Sequence, residues 1–159
     1  MNMPRRILHI DDDPIVTQLV AANLKKFGYT STTLHDPRQV MQQLHNFQER
    51  VVIMDIGMPW IDGLDLLRQI KSFDGGIQVI MLTGLETMTT VLESLRLGAE
   101  ACFFKPLDEM EPLVGAIEAC FQKLERWMAM LNELSRRRQV EHAVAGELRV
   151  VHTALGEEN

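Results

Sequence analysis

Residues 51–63 read Val-Val-Ile-Met-Asp-Ile-Gly-Met-Pro-Trp-Ile-Asp-Gly, and this stretch decides the fold. Four apolar residues stand in a row, three of them β-branched, with no polar alternation. The run is shorter than a helix and predicts a strand buried on both faces, as in a parallel sheet. The strand ends on a carboxylate, Asp55. A loop over 56–61 follows, and Asp62-Gly63 opens a helix.

The same unit recurs on both sides. Upstream, Arg6-Ile7-Leu8-His9-Ile10 is an apolar run ending on Asp11 and Asp12. Downstream, Ile77-Gln78-Val79-Ile80-Met81-Leu82 ends on Thr83, and Ala101-Cys102-Phe103-Phe104 ends on Lys105. A further run over 29–34 is rich in β-branched residues. Helical patterns separate these runs. Asp13-Pro14 and Asp36-Pro37 each place an N-cap acid before a proline, starting helices that run to 26 and to about 48. A third helix follows Asp62-Gly63, and a fourth spans about 86–97 with Gly98 as its stop. A fifth begins near Asp108, whose neighbours Glu109 and Glu111 suit the positive end of its dipole.

Five alternations of strand and helix imply parallel pairing with right-handed crossovers, hence a doubly wound, three-layer α/β domain over residues 1–122. In such a sheet the C-terminal strand ends share one edge, where sites are built. Three carboxylates, a hydroxyl and an ammonium therefore meet there, a set suited to holding a divalent metal and carrying a phosphoryl group.

The fifth helix has no evident stop. Leu113, Ile117, Cys120, Leu124, Trp127, Leu131 and Leu134 recur at alternating spacings of four and three, which is a coiled-coil seam. The next position is Arg138, within Arg136-Arg137-Arg138, and there the apolar pattern breaks. A second amphipathic stretch follows at Val144, Leu148, Val151 and Leu155. Residues 123–159 thus read as a helical extension, either one long helix or two with a tight turn near 135–140. Its role is a coiled-coil homodimer contact or a linker to an output domain.

Composition narrows the function. The net charge is −6, and the acidity belongs to the sheet domain: residues 1–119 carry 10 Lys+Arg against 16 Asp+Glu, whereas residues 120–159 carry six of each. No cationic excess is available to displace phosphate counterions, so direct nucleic-acid binding is not expected. The apolar runs are strand-length, well short of the roughly 20 residues of a membrane span. With no leader pattern, a cytoplasmic setting is expected. Cys102 and Cys120 have no metal-type spacing and read as reduced thiols.

The contexts of the five strand-end residues are specific: Ile-Asp-Asp-Asp-Pro at 10–14, Met-Asp-Ile-Gly-Met-Pro at 54–59, Met-Leu-Thr-Gly at 81–84 and Phe-Lys-Pro at 104–106. In these four stretches, in this order, residues 5–122 resemble the receiver domain of two-component response regulators. The resemblance implies a flavodoxin-like strand order, 2-1-3-4-5. It makes Asp55 the acceptor of a phosphoryl group from a histidine kinase or a histidine phosphotransfer protein. Asp11, Asp12, Asp55 and the backbone carbonyl of Gly57 would bind Mg²⁺, whose preference is for oxygen ligands. Thr83 would donate to a phosphoryl oxygen, and Lys105 would pair with Asp55 and then with the phosphate. Pro106 would follow a cis peptide bond. Output would pass through the face of helix four, strand five and helix five. This is a switched signalling domain with at most slow self-catalysed chemistry, not an enzyme in the usual sense.

The family usually carries Tyr or Phe three residues before the lysine, where the switch couples to Thr83; here Cys102 stands there. Gly57 and Leu85 occupy positions that modulate the hydrolytic water, and neither offers an acid or amide to hold it. Slow self-dephosphorylation follows. Several residues carry a plainer reading: Asp13 and Asp62 as helix caps, His9 as a packed core side chain, and Arg136–Arg138 as a solvated face or partners of Glu133 and Glu141. Two competing functions are a degenerate receiver acting as a constitutive adaptor and an aspartyl-phosphate phosphatase. The latter class places its nucleophile in an Asp-x-Asp pair after strand one, unlike Asp55.

Overall fold

The structure, a computed structural model, describes residues 3–85 and 87–156. Five parallel strands, β1 (Arg6–Ile10), β2 (Thr30–Leu34), β3 (Val51–Met54), β4 (Gln78–Thr83) and β5 (Ala101–Phe104), form one sheet in the order β2-β1-β3-β4-β5. The helices are α1 (Pro14–Lys26), α2 (Val40–Phe47), α3 (Gly63–Phe73), α4 (Met88–Arg96) and α5 (Glu111–Gly156). This is the doubly wound architecture that the alternation implies, with the flavodoxin-like strand order that the resemblance implies. The chain divides between Gln122 and Lys123 into two compact units.

Burial explains the uninterrupted apolar runs. Every residue of β3 and β4 is buried, and β1 is buried from Ile7 onward. On one sheet face, Leu8, Ile10, Val52 and Met54 pack with Leu44, Leu66, Leu67 and Ile70 of α2 and α3. His9 is fully buried on its strand, as a core histidine, with neither ring nitrogen hydrogen-bonded. Burial drives its pKa down to about 4, and Lys105 adds to the shift.

The caps behave as their residue types require. Asp13 and Asp62 accept from the amides of Ile15 and Leu64, at 2.9 and 2.8 Å. The second Asp-Pro start opens differently from the first: Asp36 caps a 3-10 turn, Pro37–Gln39, and α2 begins only at Val40. The start of α4 expected at Glu86 lies outside the described residues; the helix begins at Met88 with Thr87 as its cap. The onset of α5 shifts from Asp108 to Glu111, and it is one continuous helix through residues 135–140 with no tight turn.

Candidate phosphoryl-transfer site

Register brings the strand-end residues together. Ile10 pairs with Met54 across β1 and β3, so Asp11 and Asp55 leave the sheet side by side, and the Asp55 amide donates to the Ile10 carbonyl at 3.1 Å. On the other flank Thr83 pairs with Phe104, and the Lys105 amide donates to the Thr83 carbonyl at 3.0 Å. One edge therefore holds all five residues.

Asp11, Asp12 and Asp55 each offer a carboxylate oxygen, and these oxygens lie within 4.8 Å of one another. Lys105 Nζ donates to Asp55 Oδ2 at 3.0 Å and forms an ion pair with Asp11. Asp55 Oδ1 accepts from the Ile56 amide at 2.7 Å, which fixes the carboxylate plane. Asp11 Oδ1 accepts from the Asp13 amide at 2.9 Å. Asp11 and Asp55 are buried, whereas Asp12 is exposed.

The charges are unbalanced: three carboxylates share one ammonium. Burial pushes the Asp11 carboxyl above its usual range, with Asp55 adding to the shift, although Lys105 and the Asp13 amide oppose it. Burial disfavours the Lys105 ammonium, but hydrogen bonds to Asp11 and Asp55 outweigh that and raise its pKa. A group of hard oxygens with excess negative charge fits Mg²⁺. Lys105 keeps the oxygens close together without neutralising them.

The supporting loop is held by close approach. A Cβ on Gly63 would lie 2.2 Å from the Asp55 carbonyl oxygen and 2.5 Å from the Ile56 Cα, so only glycine fits. The Gly63 amide donates to the Ile56 carbonyl at 2.7 Å, closing the loop. This is the physical content of the Asp62-Gly63 pair. The Lys105–Pro106 peptide is cis. Thr83 is fully buried, and its Oγ1 accepts from the Leu85 amide at 3.1 Å.

Three features escape sequence reading. Leu85 lies over Gly57, its Cδ1 3.3 Å from where a Cβ would stand. Cys102 Sγ lies 2.9 Å from Ser94 Oγ, joining β5 to α4 at the position where the family usually has an aromatic ring. Trp60, in the loop after Asp55, has φ +68 and is exposed, with the Arg38 guanidinium over its ring at 4.1 Å. Glycine or asparagine in a turn would have signalled such a conformation; tryptophan does not.

A family model, the response regulator receiver domain, matches residues 7–118. The chain is 28% identical over 123 residues to the DNA-binding response regulator MtrA of Mycolicibacterium smegmatis, covering 77% of this chain and 53% of that protein. It is 37% identical over 101 residues to the C4-dicarboxylate transport transcriptional regulatory protein DctD of Pseudomonas aeruginosa, covering 64% of this chain and 22% of that protein. A CheY-like receiver domain structure from Methanospirillum hungatei superimposes with a TM-score of 0.72 at 25% identity, covering 78% of this chain and 98% of that one. The beryllofluoride-activated NtrC4 receiver domain dimer gives 0.71 at 26% identity, covering 75% and 98%. The chain belongs to the response regulator receiver family. It spans about half the length of MtrA and other curated relatives it matches, and less of DctD.

Proposed function

We propose that Asp55 accepts a phosphoryl group from the histidine of a kinase or phosphotransfer protein, in a Mg²⁺-dependent reaction in the cytoplasm. The observation that carries this reading is the Asp55 carboxylate hydrogen-bonded to Lys105 inside a cluster of three acids. An Asp55 oxygen attacks phosphorus, the bond from phosphorus to the donor's imidazole nitrogen breaks, and its electron pair returns to the ring. Asp11, Asp12, Asp55 and the Gly57 carbonyl would hold Mg²⁺, which when bound would supply charge neutralisation at the phosphoryl group. Lys105 releases Asp11 and follows the transferred group. Thr83 gives up the Leu85 amide and donates its hydroxyl to a phosphoryl oxygen.

The donor docks beside the acceptor. A cavity of about 470 Å³ adjoins Lys105, lined by Leu19, Val20, Leu82, Pro106, Leu107 and Met110. Exposed Ile15 and Leu19 extend that apolar surface along α1. On the output side, inward movement of Thr83 shifts the loop after β4 and the face of α4, β5 and α5. With Cys102 hydrogen-bonded to Ser94, this switch works by repacking α4 against β5 rather than by turning an aromatic ring. The extended α5 joins two copies into a homodimer.

Mass spectrometry after incubation with a small acyl-phosphate donor tests the proposal. One phosphoryl group should appear on wild type with Mg²⁺, and none with a chelator or on Asp55→Asn. Because Leu85 covers Gly57 with no acid or amide to hold water, the modified protein should persist for minutes or longer. A half-life of seconds would overturn the slow-hydrolysis part alone, and modification of Asp55→Asn would overturn the acceptor assignment.

A further inference from the structure

Steps of seven from Trp127 reach Leu134, Glu141, Leu148 and Leu155; steps of seven from Leu131 reach Arg138, Ala145 and His152. The heptad frame thus continues to the end of the described helix, and Arg138 with Glu141 interrupts its apolarity without changing its phase. Val144 and Val151, which look from sequence like a second seam, flank the same one. Leu131, Leu134, Leu148 and Leu155 are exposed on it, with Met130 and Val151 alongside. Glu133 pairs with both Arg136 and Arg137, at 2.8 Å each. Among the described residues, Arg138 and Glu141 have no ion-pair partner.

We infer that residues 127–152 pair antiparallel with the same segment of a second copy of this chain, each Arg138 facing the other copy's Glu141. The inference rests on the homodimer reading above and specifies its direction and register. Reversing one helix exchanges the two core positions of the heptad, so every layer becomes a complementary pair. Arg138 then meets Glu141, Leu134 meets Ala145, Leu131 meets Leu148, and Trp127 meets His152. The two flanking residues Met130 and Val151 also approach each other. Two-fold symmetry makes each contact twice.

The parallel alternative stacks each layer on itself. Arg138 would face Arg138 and Glu141 would face Glu141, two like-charge layers in succession at the centre of the seam. A hairpin within one chain would use the antiparallel pairs, but it needs a turn at 139–140, where the helix is continuous. The complement therefore comes from a second chain.

Two sets of variants in the full chain test this. Mixed Leu131→Cys and Leu148→Cys proteins, mildly oxidised, should form a disulfide between positions 131 and 148, identified by mass spectrometry of the joined peptides. Each protein alone should give little of its own symmetric disulfide. By light scattering, Arg138→Glu and Glu141→Arg alone should each weaken the dimer at least tenfold. Mixing the two, or combining both changes in one chain, should restore it. Symmetric 131–131 disulfides, or a dimer indifferent to both charge variants, would overturn the antiparallel pairing and leave the homodimer standing. A monomer at all concentrations would overturn both. So would a 131–148 disulfide formed within a single chain carrying both cysteines.

Discussion

At the C-terminal edge of the sheet, Asp11, Asp12 and Asp55 share one ammonium from Lys105. At the opposite edge two carboxylates each have an arginine of their own. Arg5 pairs with Glu118 of α5, which also accepts from Tyr29 Oη, and Arg50 pairs with Asp74. Arg5 also lies over the stacked rings of Tyr29 and Phe121, at 5.8 and 5.6 Å. One edge is left with negative charge that a metal and a phosphoryl group can act upon. The other ties the first part of α5 to the sheet through Arg5 and Glu118. The switching proposed above would draw on both: a place where ligands shift the balance, and a footing at the other end of the strands.

A glycine at each edge gives the sharpest way to break the comparison. Alanine at Gly63 would drive its Cβ into the backbone of Asp55 and Ile56, which cannot move without displacing the Asp55 carboxylate. Alanine at Gly76 would meet the Arg50 Nη2 at 2.4 Å and an Asp74 oxygen at 3.1 Å, the ends of side chains that can swing aside. Gly63→Ala should therefore cost about 3 kcal/mol or more in urea unfolding and abolish Mg²⁺ binding. Gly76→Ala should cost under about 1 kcal/mol, the loss of an exposed ion pair, and leave Mg²⁺ binding unchanged. Equal costs would mean that the two edges are equally rigid.

A smaller effect concerns the sign of the pH dependence. Burial raises the Asp11 pKa, so its contribution to stability is full below the unfolded value and is lost as pH rises through the folded one. Hydrogen bonds from Arg5 and Tyr29 lower the Glu118 pKa, so its contribution is present above the unfolded value and lost as pH falls. Without Mg²⁺, Asp11→Asn should stabilise the protein at pH 7 by about 1 kcal/mol, an unusual direction for a buried substitution, and the gain should shrink toward pH 4. Mg²⁺ should stabilise wild type and leave Asp11→Asn nearly unchanged. Glu118→Gln should instead destabilise at pH 7 by less than about 1 kcal/mol, since the pair is about one-third exposed, with the difference closing in acid. Thermal unfolding over pH 4–8, with and without metal, checks both.

The same contrast explains what could be read from sequence. The functional edge is local: Asp11, Asp55, Thr83 and Lys105 each end or directly follow an apolar run, and a parallel sheet brings such ends together. The footing is not local. Arg5 and Glu118 are 113 residues apart, and nothing in either context marks the other. Asp36-Pro37 carries the same start signal as Asp13-Pro14, yet the chain turns once as a 3-10 turn before α2, with Pro37 and Val40 both buried. The continuity of α5 through Arg136–Arg138 was open because no proline or glycine lies nearby to decide it. Cys102 was legible as a departure from the usual aromatic, but its partner Ser94 was not, since a serine within a helix has no pattern that points to a neighbouring strand.

Tyr29 sharpens the comparison with the least disturbance to the protein. It is the single tyrosine, so its ionisation can be followed by ultraviolet absorbance without interference from another phenol. Burial, reinforced by its hydrogen bond to Glu118 and that residue's charge, raises its pKa to about 12, while Arg5 opposes the shift. Because the folded value is the higher one, the footing's contribution is complete below pH 10 and is lost as pH rises through 12. Glu118→Gln should bring the titration down toward 10, and Arg5→Ala should move it up. Adding Mg²⁺ or a phosphoryl mimic should leave it where it is, because the two edges are separated by the length of the strands. A titration that moves with Mg²⁺ would mean that the footing itself takes part in the switch.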